Sequence, residues 1–296
     1  MRALILGANG QLGFELRATL ATIADVVAVD RAQLDVGDVA AVTRLVTEMR
    51  PSVVVNAAAY TDVDGAERDP HAADRINRDA VRTLGLLAHA EKIALLHIST
   101  DFVFDGEGRR PYVESDAPNP LNAYGRSKLE GERALVDLDA PAVTLRTAWV
   151  YSLRRKSFVT TMLKLFRERE EVRVVDDQIG NPTLARDLAT AIAVILARAG
   201  SDPHGFVRER RGVYHLAGAG EVSRHAFASA IAVLDPRKDE HAVTRIEAIS
   251  SSEMVLPARR PKHAPLDCTR AWEVLGVRLP EWREALGRAL GERVRW

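Results

Sequence analysis

The opening of the chain constrains the fold more than any other stretch. Residues 2–6 are a short apolar run that leads without a break into Gly7-Ala8-Asn9-Gly10-Gln11-Leu12-Gly13, and residues 14–23 then carry a helix-compatible pattern. Strand, glycine turn and helix in that order form the first unit of a nucleotide-binding α/β sheet. The glycines permit a tight turn and close backbone approach, while the free N–H groups and positive dipole of the helix N-terminus attract a pyrophosphate. The spacing is Gly-x-x-Gly-x-x-Gly, a variant of Gly-x-Gly-x-x-Gly, so this reading leans on the flanking strand and helix.

The alternation continues. A second strand at 26–29 ends in Asp30, whose carboxylate suits the adenosine ribose hydroxyls of NAD. Arg31 beside it suits the 2′-phosphate of NADP instead, and the preference stays open. After a helix at 39–49, a strand at 52–55 runs into Asn56-Ala57-Ala58-Ala59, whose small side chains admit either a close-lying cofactor or plain close packing. A helix at 70–91, carrying Asn77, precedes a strand at 94–98 that ends in Ser99-Thr100-Asp101. Strands alternating with helices imply a parallel sheet whose ligands sit beyond the carboxyl ends of its strands. Thr100 offers a hydroxyl at that edge, although threonine also serves there as an ordinary turn residue.

Residues 105–120, with glycines and prolines spaced through them, read as a surface loop that delivers LNAYGRSKLEGE at 121–132. Tyr124 stands four residues before Lys128, one turn away on the same helix face. A cation near a phenol favours phenolate and lowers the tyrosine pKa from its usual value of about 10. Tyr124 is therefore expected to exchange a proton with a carbonyl or alcohol oxygen. Exposed helices carry such pairs by chance, so its partners give the pair its meaning.

Charge offers no competing function, because 41 Lys and Arg balance 41 Asp and Glu and nothing points to nucleic acid or an anionic membrane. The single cysteine, Cys268, rules out an internal disulfide framework, fits a reducing compartment and reads as a packing residue. The apolar run at the N-terminus is too short for a secretion signal, and the one at 188–197 is about half a bilayer span. A cytoplasmic protein without a membrane span is expected.

A glycine turn near the start, a strand-end hydroxyl at Thr100 and Tyr-x-x-x-Lys at 124–128 is the layout of the short-chain dehydrogenase/reductase superfamily. More closely, NAAAYTDVDGAE from Asn56, STDFVFDG from Ser99, NAYGRSKLEGE from Asn122, RTAWVY from Arg146 and DQIGNPT from Asp177 resemble the dTDP-4-dehydrorhamnose reductase family. TMLKLFRERE near Thr161 and LPARRPKHAPLD toward the C-terminus extend the resemblance over nearly the whole chain. It implies reduction of the 4-keto group of dTDP-4-dehydro-L-rhamnose to dTDP-L-rhamnose with NADPH or NADH. It also implies a catalytic trio of Thr100, Tyr124 and Lys128. Tyr124 would protonate the developing C4 alkoxide, Thr100 would hydrogen-bond the same oxygen, and Lys128 would hold the nicotinamide ribose and keep the tyrosine acidic. Cofactor contacts are expected at Gly7, Asn9, Gly10, Gln11, Leu12, Gly13, Asp30, Asp35, Val36, Ala57, Ala58 and Ala59, besides Tyr124 and Lys128. The sugar nucleotide is expected at Thr100, Asp101, Phe102, Trp149 and Arg260, the last either reaching phosphates or lying on the surface.

Two positions depart from the family pattern. Phe102 stands where a tyrosine is common, so a hydroxyl contact is absent. The loop 152–157, SLRRKS, is basic where relatives are often rich in glycine and asparagine, and it either meets the substrate diphosphate or is solvated. Some relatives bind magnesium through glutamates at a dimer contact, and Glu15 matches one of these. Mg2+ thus enters as an option, with no metal ligand set assigned and a monomer or homodimer expected.

The expected fold is α/β, a Rossmann-type doubly wound parallel sheet with a second, smaller substrate-binding domain. Residues 1–149 and 177–217 would form the dinucleotide-binding domain, and residues 150–176 and 218–296 the substrate-binding one. Two other functions remain: a related nucleotide-sugar 4-keto-reductase or 4-epimerase, and a non-catalytic NAD(P)-binding regulatory subunit. The presence of the whole trio speaks against the last.

Overall fold

The computed structural model describes residues 1–292. Five strands, β1 (Arg2–Leu6), β2 (Asp25–Val29), β3 (Val53–Asn56), β4 (Ala94–Thr100) and β5 (Ala142–Thr147), join a sixth, Gly212–His215, in one sheet. Every pairing is parallel, and the order from one edge is Gly212–His215, β5, β4, β3, β1, β2.

The side-chain alternation of each strand supplies two cores. Ala3 and Ile5 of β1, Val53 and Val55 of β3, and Leu96 of β4 pack with Leu12, Leu16 and Leu20 of helix α1 (Gln11–Leu20) and with Leu188 and Ile192 of helix Ala185–Ala199. The intervening Leu4, Leu6, Val54 and Leu95 face helices Val39–Met49 and Ala80–Ala90 through Val42, Val46, Val81 and Leu84. Each fully buried leucine or isoleucine here contributes about 1.5–3 kcal/mol. Burial on both faces explains why these strands read as continuous apolar runs, and it makes the sheet doubly wound.

The chain runs from β1 outward to β2, then crosses back to β3 and continues the other way. The reversal opens a crevice beyond the carboxyl ends of β1 and β3. There the backbone of Gly7, at φ +86°, lies so close to the segment after β3 that a Cβ would sit 2.7 Å from Ala58 N. Gly13 is equally constrained, since its Cβ would lie 2.1 Å from Gly7 O.

The helix expected at 70–91 is interrupted. Pro70–Asp74 and Ala80–Ala90 are joined by a π-helical turn, Arg75–Asp79, which turns Asn77 inward. Asn77 is buried and brackets the Tyr60 backbone, accepting from its N–H at 2.9 Å and donating to its carbonyl at 3.1 Å.

A second core lies beside the sheet. Strands Glu171–Val175 and Arg245–Ile249 pair in parallel, and helices Phe158–Glu168, Arg224–Leu234 and Trp282–Glu292 gather Tyr151, Phe166, Phe227 and Leu286. The stretch 271–279, expected with this smaller body, packs instead in the large-sheet core through Ala271, Leu275, Val277 and Leu279. Among the described residues no helix is long and apolar enough to cross a membrane.

Candidate functional site

Helix Ala123–Asp137 is held in place from its first turn. Asn122 caps it, its Oδ1 accepting from Gly125 N at 2.8 Å, while its Nδ2 donates to Arg259 O, 137 residues away, at 2.7 Å. Gly125 is needed for a contact: a Cβ there would lie 2.2 Å from Phe102 O. The turn that ends β4 therefore seats directly on the helix, and the Phe102 ring meets Tyr124 edge-on with 5.6 Å between centroids. Thr100, Tyr124 and Lys128 are brought together in this way.

Lys128 is buried and donates to Ile98 O at 2.6 Å, with His97 Nε2 at 3.3 Å. Burial lowers its pKa to about 8. His97 is neutral, since burial and the adjacent ammonium hold its pKa well below the usual value. The Tyr124 phenol goes the other way from the expectation: burial raises it to about 12, with a hydrogen bond to Thr100 opposing and the Asp101 charge assisting. The expected acidification by Lys128 is absent because the ammonium is turned to the β4 carbonyl and His97.

Thr100 donates to Asp101 Oδ1 at 3.1 Å and accepts from Phe102 N at 3.1 Å. Asp101 is buried, its Oδ2 has no hydrogen-bond partner, and desolvation pushes its pKa up to about 7 against Thr100 and the Arg224 charge.

These groups line a cleft of about 860 Å³ that follows the crevice. Its far end is formed by Gly7, Asn9, Gly10, Gln11 and Leu12, by Asp30, Asp35 and Val36, and by Ala57, Ala58 and Ala59. Thr100, Asp101, Phe102, Tyr124, Lys128 and Trp149 line the rest. Of the expected contacts Gly13 does not reach this cleft, since it lies beneath Gly7. Asp35 is tied to Arg75 at 2.9 Å, and Asp30 accepts from Asn9 and from the backbone of Ala32 and Gln33. Arg260 also falls outside. It lines an adjoining cavity of about 770 Å³, where it is paired with Asp64 at 2.8 Å.

Phe102 and Arg224 line both cavities. Arg224 lies 3.5 Å over the Trp149 ring, and burial lowers its pKa to about 10. Trp149 adopts φ +43°, a left-handed backbone that costs an indole-bearing residue about 1–3 kcal/mol and that faces its ring into the site. Sequence reasoning missed Arg224 and His97. No local pattern marks them: Arg224 follows a helix-capping serine, and His97 sits among apolar residues of β4.

Two features that the sequence left open have defined surroundings in the structure. Glu15, the candidate magnesium ligand, is nearly buried and faces Arg154 at 3.8 Å and Arg186 at 3.6 Å, which occupy it as counter-ions. Among the described residues no group of three His, Cys, Asp or Glu is placed to hold a metal. The basic loop 152–157 does not reach the second cavity: Arg155 and Lys156 line the cleft at the glycine turn. Cys268 packs against the apolar cluster of Val103, Phe104 and Leu266, in keeping with the packing reading, and burial pushes its thiol up to about 12.

The cleft suits a dinucleotide by its own features. A Cβ at Gly7 or Gly13 would fill backbone contact space, Gly10 leaves the α1 N-terminus without a side-chain cap, and Gln11 Oε1 is buried and unpartnered.

Comparison with known proteins agrees with these features. The family model described as RmlD substrate binding domain matches residues 1–294. A dTDP-4-dehydrorhamnose reductase of Burkholderia thailandensis is 44% identical over 299 residues, which cover 97% of each chain. The crystal structure of a dTDP-4-dehydrorhamnose reductase from Clostridium acetobutylicum superimposes with a TM-score of 0.90 at 34% identity over 100% of both chains. That of a Bacillus anthracis dTDP-4-dehydrorhamnose reductase in complex with NADP gives 0.88 at 34% identity, covering 98% of this chain and 99% of the other.

Proposed function

The chain belongs to the dTDP-4-dehydrorhamnose reductase family, and from that premise we propose that it reduces the 4-keto group of dTDP-4-dehydro-L-rhamnose to dTDP-L-rhamnose with NAD(P)H. The observation that carries this reading is the convergence of Thr100, Tyr124 and Lys128 on a cleft whose other end is the glycine turn.

When bound, NAD(P)H supplies the hydride, and the chain's own residues do the rest. Tyr124 gives its proton to the C4 oxygen. Its elevated pKa suits that role, because a reductase needs the phenol protonated at the start of each turnover, and a phenol is still far more acidic than the alcohol formed. Thr100 hydrogen-bonds the same oxygen, and Lys128, charged below about pH 8, holds the nicotinamide ribose. Asp30 and Arg31 both line the cleft, which supports a reading in which Asp30 serves the adenosine ribose and Arg31 a 2′-phosphate, and in which NADH and NADPH are both used. Phe102 and the Arg224–Trp149 stack form the boundary that the sugar crosses, and the second cavity takes the nucleotide. The dinucleotide-binding domain is drawn as 1–149 and 177–217, with 271–279 added to it from the substrate-binding remainder. A cytoplasmic setting fits the soluble cofactor and the lone thiol.

Tyr124→Phe is the test. It is expected to cut turnover of dTDP-4-dehydro-L-rhamnose by about 10²–10⁴-fold while leaving NADPH binding intact. Unchanged turnover would overturn the assignment. The wild-type enzyme should also consume one NAD(P)H per sugar reduced, whereas turnover without added reductant would identify an epimerase.

A further inference from the structure

The basic loop at 152–157 lies against the glycine turn and helix α1. It is pinned at both ends: Ser157 Oγ donates to Ser152 O at 2.8 Å, and Ser152 Oγ accepts from Arg154 N at 3.1 Å. Between these anchors the loop reaches out of the smaller body and lies on helix α1. Arg155 sits 4.8 Å over the Phe14 ring, and its Nη2 donates to Asn9 Oδ1 at 3.3 Å. Asn9 in turn donates to Asp30, so a hydrogen-bonded path runs from the loop through the glycine turn to the end of β2.

The charges are unbalanced. Arg155 and Lys156 line the cleft, and neither is paired with a carboxylate among the described residues. Arg155 Nε is buried without a hydrogen-bond partner, as is Gln11 Oε1 nearby on α1. The first turn of α1 holds no acidic residue and its cap is Gly10, so its N–H groups face the cleft without a side-chain acceptor. Two cations, an orphaned donor and an uncapped helix N-terminus on one cavity wall form a receptor for a dianion.

We propose that Arg155 and Lys156 are a clasp for the pyrophosphate of the dinucleotide, closing over it from the smaller body while the glycine turn holds it from below. The clasp rests on the dinucleotide-dependent function above and adds to it a binding subsite on a different element. Because the pyrophosphate is common to NADH and NADPH, the clasp strengthens both alike and leaves the choice between them to Asp30 and Arg31. It also makes the cofactor itself a link between the two bodies.

The experiment is direct binding, measured by calorimetry with NADH, NADPH and dTDP, on the wild type, Arg155→Gln and the double variant R155Q/K156Q. Apo thermal unfolding confirms that each variant folds, as expected for two partly exposed side chains, and Arg155→Lys serves as a milder second variant. Both dinucleotides should weaken by the same factor, about 10-fold for Arg155→Gln and up to about 100-fold for the double variant. Their binding should also become less sensitive to salt, and dTDP binding should not change. Equal binding of both dinucleotides by variant and wild type would overturn the clasp. A loss confined to NADPH would overturn it by placing the loop at the 2′-phosphate, and a loss confined to dTDP by placing it at the substrate. Wild-type protein that binds neither dinucleotide would overturn the function reading itself, a result distinct from all of these.

Discussion

Tyr124 and Lys128 share a helix face without sharing a charge interaction, and the difference sets what each contributes. Spacing alone puts the two side chains on one side of the helix. Their ionisation depends on what else lies there, and Ile98 O and His97 come from a strand some thirty residues upstream, out of reach of any local pattern. The lysine is thus held ready for a ribose instead of neutralising a phenolate. Its folded pKa of about 8 lies below the 10.5 of a solvated lysine, because burial disfavours the charged form. The native state binds fewer protons than the unfolded chain between those two values, and stability contributed by this group rises with pH across that window; below about pH 8 its full cost is present. Activity runs the other way, since ribose binding uses the ammonium. The kcat/KM for NADPH should therefore fall above about pH 8, and Lys128→Arg, which stays charged, should flatten that limb in a pH–rate profile. A limb of unchanged position in Lys128→Arg would assign the titration to another group.

Elements are placed here by a few buried polar contacts as much as by apolar packing. The segments NAYGRSKLEGE and RTAWVY, read separately as family-like strings, are joined by one ion pair: Arg146 reaches Glu132 through Nη2 at 2.7 Å and Nε at 3.0 Å, both residues nearly fully buried. Ser99, just before Thr100, donates to the same carboxylate at 2.5 Å. Helix, β4 and β5 thus lock together at the strand ends from which the site is built. Arg146→Met should cost about 3–5 kcal/mol in urea unfolding, because it leaves the Glu132 charge buried and uncompensated. A cost below about 1 kcal/mol would show that the pair is not what holds these elements. The strands and the helix were legible in sequence, since alternating burial on both sheet faces writes itself as apolar runs. The π-helical turn at Arg75–Asp79 was not, because the partners of its Asn77, Tyr60 in the segment after β3 and Ser127 on helix Ala123–Asp137, are distant in sequence. Arg224 and the strained Trp149 were illegible as a pair for the same reason: only the fold brings residues 75 positions apart into a 3.5 Å stack.

At the scale of the whole molecule, the parallel sheet places its ligands where the strand order reverses, and this chain puts its glycine turn, its strand-end hydroxyl and its Tyr–Lys helix around that crevice. The order of those parts along the sequence was enough to infer the architecture. Which core each apolar segment joins was less legible: residues 271–279 carry the same kind of side chains as the second core, and composition does not say which one they bury against. The basic loop at the glycine turn was placed only by the fold, as a piece of one body that reaches the other. The central claim is that this cleft carries a hydride to C4 of a dTDP-4-keto sugar while Tyr124 protonates the oxygen. The most direct measurement supplies NADPH carrying deuterium at the transferable C4 position of the nicotinamide and follows the label into product by mass spectrometry and NMR. The account predicts one deuterium at C4 of dTDP-L-rhamnose for each NADPH consumed, with both slowed together in Tyr124→Phe; product without deuterium at C4, or formed without consumption of NADPH, would contradict it.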